Sequence, residues 1–220
     1  MFYARLGQRI IHILGTYTPS GVLYQVDMRL RPSGASGLLV SGIEGFSDYQ
    51  REQAWTWEHQ ALVRARPVAG DPAIADGFAA VRRRELARVR DPEDLRREVA
   101  EMRTRMRQSH AGAGDGSFDL KQDPGGIADI EFMVQYAVLR WAREYPALLQ
   151  WTDNVRLLDE LAAARLLASD DARFLKDAYR FYRAQVHRLT LQESPAVIAR
   201  EAVDFYRPGV ARLWEALMET

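Results

Sequence analysis

The sequence predicts a mainly α-helical protein that opens with the remnant of an α/β unit. Three observations carry that reading. Only one stretch, Val22 to Arg31, alternates apolar and polar residues with a period of two. From Ser41 onward apolar residues recur at helical spacing almost throughout. Asp71-Pro72 and Asp91-Pro92 are helix-start devices, an N-capping carboxylate followed by proline at the first helical position.

In chain order, Phe2, Leu6, Ile10, Ile13 and Leu14 form the stripe of a first helix ending near Gly15. The strand follows. Val22, Tyr24, Val26, Met28 and Leu30 face one way, and Leu23, Gln25, Asp27, Arg29 and Arg31 the other; Pro32, with no N–H to donate, ends it. One helix and one strand do not make a sheet, so this opening looks incomplete. Ser41, with Glu44 three residues on, predicts a capping box and a helix to about Ala54. Trp57, Ala61 and Leu62 share the face of the next helix. The two Asp-Pro starts give two more. Residues 109–117, SHAGAGDGS, have the composition of the most flexible segment. FDLK predicts a short extended piece, and QDPGG leads into the apolar helix IADIEFMVQYAVLRWA. The pattern is helical from Thr152 on, with Thr152 and Ser169 as expected caps and breaks at Pro195 and Pro208.

Composition excludes several classes. Thirty basic residues balance thirty acidic ones, so bulk charge offers nothing to nucleic acid or an acidic membrane surface. No apolar run approaches the ~20 residues of a membrane span, and the first residues are too polar for a secretory signal. There is no cysteine, hence no disulfide or thiolate metal site, which fits a reducing cytoplasm. The four histidines are scattered at no metal-binding spacing. The Arg-rich stretch from Arg82 to Arg107 is interleaved with Glu and Asp, as in a solvated helix pair or a dock for an acidic partner.

Two constellations can carry chemistry. Asp27 on the polar strand face suits Mg²⁺ binding or proton acceptance. Arg29 and Arg31 beside it suit phosphate oxygens. The same pattern also suits an ordinary surface ion pair. The second constellation is KQDPGGIADIEF. Lys121, Gly125 and Gly126 precede a helix start that can receive a phosphate, though the spacing is no Walker loop and a Gly-Gly before a helix is more often just a turn. Asp129 and Glu131 follow. Residues two apart on a helix lie ~200° apart, so the pair cannot easily share one ion.

Three blocks go further: GVLYQVDMRLRPSGASGLLVSGIEGFSDYQREQAWTWEHQALVRARPVAGDP, FDLKQDPGGIADIEFMVQYAVLRWA and WTDNVRLLDELA. Together they closely resemble the glutamine synthetase adenylyltransferase family, in its C-terminal, adenylylating half. WTWEHQALVRAR favours that half over the adenylyl-removing one, and the uridylyltransferases look less similar.

The resemblance implies a DNA polymerase β-like nucleotidyltransferase palm, partial here over residues 1–40, and a helical nucleotidyltransferase-associated domain over 41–220. It implies transfer of AMP from ATP to a tyrosine of glutamine synthetase with Mg²⁺, regulated by the PII signal protein and glutamine. Asp27 maps to the third of three family acids, the metal-binding and catalytic one present here. Arg29 and Arg31 adjoin it, and Lys121, Gly125, Gly126, Asp129 and Glu131 are expected to border the ATP site. The Gly-Gly…Ser-Asp-x-Asp block that carries the first two acids has no counterpart here. The expectation is therefore a C-terminal fragment, a truncated gene or a late start, inactive alone. The alternative is a non-catalytic helical module that docks glutamine synthetase or PII.

Overall fold

A computed structural model describes residues 2–22, 24–109, 114 and 116–218. The chain is mainly helical, with nine α-helices and two two-stranded ladders among the described residues.

The helical body is built around α6 (Ile127–Trp141). This helix is apolar nearly all round, as a central helix must be, and buries Ile127 to Ile130 and Met133 to Leu139. Against it pack α3 (Thr56–Arg64), α5 (Pro92–Gln108), α7 (Asn154–Ala163), α8 (Ser169–Leu191) and α9 (Arg207–Met218). Ile130, Val138, Leu157, Leu158 and Val210 are among the core side chains with essentially no exposure. The remaining helices are α1 (Phe2–Gly15), α2 (Ile43–Glu52) and α4 (Pro72–Leu86).

The Asp-Pro caps form as read. Asp71 accepts from the Ala73 amide, and Asp91 from the amides of Glu93 and Asp94. Other helix starts shift. Gly42, not Ser41, caps α2, with no side-chain cap bond, and the helix ends at Glu52. The carboxylate that closes back on a helix start is instead Glu58, which accepts from the Trp55 amide. Asp153, not Thr152, caps α7 because its carboxylate reaches the Arg156 amide. Ser169 is the first residue of α8, behind Ala168. Pro208 opens α9 rather than breaking a helix, since the first helical turn needs no proline N–H.

The expected strand is the main correction. Only Gly21–Val22 (β2) pairs, with Tyr17–Thr18 (β1); residues 24–28 run without a ladder partner, and Leu23 lies outside the described residues. A period-two pattern supplies the faces of a strand but not the neighbour whose amides and carbonyls complete it. The FDLK piece does find one. Ser117–Asp119 (β3) pairs antiparallel with Val197–Ala199 (β4), setting Phe118 opposite Ile198. Of the expected flexible stretch 109–117, residues 110–113 and 115 lie outside the described residues.

Burial divides the chain unevenly. From Phe2 to Tyr49 no described residue is buried, and the α1 stripe of Phe2, Leu6, Ile10 and Ile13 stands exposed. The core begins at Gln50.

Candidate functional site

The Asp27 constellation is a self-contained turn. Both Asp27 oxygens receive the Arg29 side chain, with Nε 3.1 Å from Oδ1 and 3.0 Å from Oδ2, and Nη2 2.7 Å from Oδ2. The Arg29 amide adds a bond to Oδ1 at 2.9 Å. The Arg29 guanidinium, then its amide, hold the Asp27 pKa down at about 2. The same contact raises that of Arg29. Arg31 turns away from Asp27 and staples the loop after Pro32, donating to the carbonyls of Met28, Ala35 and Gly37. Gly37 permits that loop, for a Cβ there would stand 1.8 Å from the Pro32 carbonyl oxygen.

The second constellation is a buried hinge of charges at the start of α6. Asp129 and Arg103 are both fully buried. Asp129 Oδ1 accepts from Arg103 Nε and Arg107 Nη2, each at 2.7 Å, and Oδ2 accepts from the Gly125 amide at 2.7 Å. Arg103 also donates to the Gln122 carbonyl. Burial lowers the Arg103 pKa, opposed by the Asp129 charge. Gly125 is required here. Its φ is +89°, and a Cβ would stand 2.6 Å from the Arg207 carbonyl oxygen.

The amides of this turn are engaged. Gly126 donates to Asp123, Ile127 to Leu120 and Ala128 to Lys121. With the Gly125 amide on Asp129, these four consecutive N–H groups point inward. The Lys121 side chain is exposed at its edge.

Glu131 faces elsewhere. Its Oε1 accepts from Arg64 Nη1 at 2.5 Å, Tyr179 Oη at 3.1 Å and Asn154 Nδ2 at 3.4 Å. Burial, then the Glu131 charge, raises the Tyr179 pKa. Asp129 and Glu131 thus use different partners on different helices, as their spacing requires.

The structure therefore brings Asp27 to Arg29, and Gly125 to Asp129. Among the described residues no hydrogen bond or ion pair joins the 27–31 turn to the 121–131 turn. The sequence reading missed Arg64, Arg103, Arg107, Asn154 and Tyr179. For Arg103 a signal existed, because Leu95, Val99 and Arg103 are the buried residues of α5 and stand four apart.

These residues do not by themselves complete a magnesium site. Among the described residues no group of three His, Asp or Glu side chains can hold a metal. Asp27 spends both oxygens on a guanidinium, Asp129 spends both on two arginines and the Gly125 amide, and Glu131 spends Oε1 on Arg64, Tyr179 and Asn154.

Residues 1–81 match the family described as glutamate-ammonia ligase adenylyltransferase, and residues 93–196 match that described as GlnD PII-uridylyltransferase. Similar proteins include the bifunctional glutamine synthetase adenylyltransferase/adenylyl-removing enzyme of Thioalkalivibrio sulfidiphilus, 59% identical over 99% of this chain. Those of Pseudomonas aeruginosa and Nitrosococcus oceani are 54% identical over 98% and 56% over 100%. The chain spans 22–23% of the length of these relatives.

Proposed function

Because the chain is homologous, along nearly all its length, to a segment of the bifunctional glutamine synthetase adenylyltransferases, we propose that it serves as part of the adenylylating machinery of such an enzyme. In this reading the intact enzyme transfers AMP from ATP to a tyrosine of glutamine synthetase, with Mg²⁺, under control of PII. The 59% identity over 218 residues is the observation that carries it. Residues 1–40 then belong to a nucleotidyltransferase palm and 41–220 to its helical companion. The unburied apolar faces of residues 2–40 support this division.

Within that machinery Asp27 is the catalytic carboxylate. While Arg29 holds it at about 2, Asp27 is a poor proton acceptor near neutrality; once released, it can orient the target tyrosine hydroxyl or take its proton. For Asp27 to act, Arg29 must leave it, and the freed guanidinium then suits a phosphate oxygen. Arg31 holds the loop that presents both. Gly125, Gly126, Asp129 and Glu131 act as positioning residues for the helical body, and Lys121 is the member of that motif whose side chain is free to meet a nucleotide.

The test mixes this chain with unmodified glutamine synthetase, α-labelled ATP and Mg²⁺, beside an Asp27→Ala control. With no metal-ligating cluster of its own, the chain alone is expected to give no label yet to bind the synthetase or PII. That cluster's absence among the described residues also favours a second reading, a purely docking module. Label that disappears with Asp27→Ala excludes the docking module. Neither label nor binding contradicts both readings. UTP in place of ATP separates uridylyl from adenylyl transfer.

A further inference from the structure

We propose that the cleft between the end of α3, the middle of α4 and the 146–149 turn binds a small organic anion, its charged group held by Arg66 and Arg83 and its apolar body resting on Pro67, Phe78 and Pro146. The cleft measures about 480 Å³ and is lined by three arginines and no acid. That volume is ordinary for a ligand pocket, roughly 300–1,000 Å³.

Arg82 makes the charge unusual. It is 7% exposed, and its guanidinium donates to the carbonyls of Leu62, Val63, Leu149 and Trp151. No carboxylate pairs with it among the described residues. Carbonyl dipoles satisfy its N–H groups but do not cancel its charge, so the floor of the cleft keeps a positive potential in a medium that screens poorly. Arg66 and Arg83 stand exposed above it, with no ion pair to either side chain among the described residues. Some exposed arginines of the body pair with acids, as Arg97 with Asp94 and Arg105 with Glu101, and others do not; this cleft differs in gathering three arginines with no acid in its lining. Three neighbouring guanidinium groups without one acid therefore favour a ligand that brings its own negative charge. The planar fork of arginine suits a carboxylate or a phosphate equally. The apolar walls at Pro67, Phe78 and Pro146 select against a bare inorganic ion.

The test is isothermal titration of the 220-residue chain with phenyl phosphate, benzoate and neutral benzyl alcohol. One phenyl phosphate or benzoate per chain is expected, and the tighter of the two identifies the charged group. In Arg66→Glu/Arg83→Glu the affinity for that anion should fall at least tenfold, with the melting temperature unchanged because both residues are exposed. The milder Arg66→Gln/Arg83→Gln should weaken binding in the same direction, as should added salt. Failure of both anions to bind overturns the proposal. So does equal affinity in a folded double variant, or benzyl alcohol binding as tightly as the anions.

Discussion

Asp129 and Glu131 stand two residues apart on α6 and face opposite sides of it, Asp129 toward Arg103 and Arg107 of α5, Glu131 toward Arg64 of α3 and Tyr179 of α8. One turn of helix thereby ties three neighbours. The two sides differ in burial. Arg103 and Asp129 are sealed from water, whereas the Glu131 side chain keeps 22% exposure and that of Arg64 39%.

Asp129→Asn should therefore be severe. It leaves Arg103 as a buried charge without its counter-ion, a situation that costs about 3–5 kcal/mol. Urea unfolding should report a loss of that size. Glu131→Gln keeps hydrogen-bonding capacity at a wetter site and should cost about 1 kcal/mol. Equal losses in the two variants would contradict the assignment of a sealed and an open side.

Arg82→Met should destabilise by about 2–4 kcal/mol. The substitution removes bonds to four carbonyls; Leu62 keeps the Ala65 amide, while the buried Val63 carbonyl and the part-buried Leu149 and Trp151 carbonyls lose a donor. Arg82→Lys should recover little, because one ammonium cannot reach four carbonyls in the plane a guanidinium spans. Thermal unfolding of the two variants checks both statements.

Acid should weaken the fold through His59. The ring is buried, with Nε2 3.0 Å from the Gln50 carbonyl and Nδ1 3.3 Å from Arg90 Nη2. Burial is the main cause that lowers its pKa below the usual 6.5. The unfolded chain then binds the proton more readily than the folded one. Stability is whole above about pH 6.5, falls as pH drops below that value, and levels off below the folded pKa. A His59→Gln variant should show a flatter stability profile between pH 7 and 5 than the parent. Parallel profiles would refute the account.

Substitution on α1 should barely register. Ile10 is 49% exposed and no residue of that helix is buried. Ile10→Glu is expected to change the unfolding free energy by no more than about 0.5 kcal/mol. A large loss would mean that α1 contributes to the core of this chain.

These contrasts follow how much the sequence revealed. Asp71-Pro72 and Asp91-Pro92 were legible because a cap is a local device, complete within four residues. Gly42, Asp153 and Ala168 displaced the expected caps because neighbouring candidates compete and the surrounding packing chooses. The 22–31 strand failed, and β4 went unseen, for the same reason. A ladder needs a partner, and the partner of β3 lies about eighty residues downstream. Arg82 and Arg103 were read as solvated because charge suggests water, yet each sits on an apolar stripe that carries it inside. Of the candidate site, the Asp27–Arg29 pair was visible as spacing. The inward-facing amides of Gly125 and Gly126 depend on the Asp129 carboxylate and the Asp123 carbonyl, and the Arg207 carbonyl leaves no room for a side chain at Gly125.

The central claim is that Asp27 is a catalytic carboxylate of an adenylyltransferase. The most direct measurement places this chain in the matching segment of the Pseudomonas aeruginosa relative and follows AMP transfer from α-labelled ATP to glutamine synthetase. The chimera is expected to label the synthetase, and Asp27→Ala within it to slow labelling by at least about 100-fold, the scale of losing a group that acts at the reacting atoms. A folded chimera that transfers no AMP, or an Asp27→Ala chimera that labels at the parental rate, would contradict the claim.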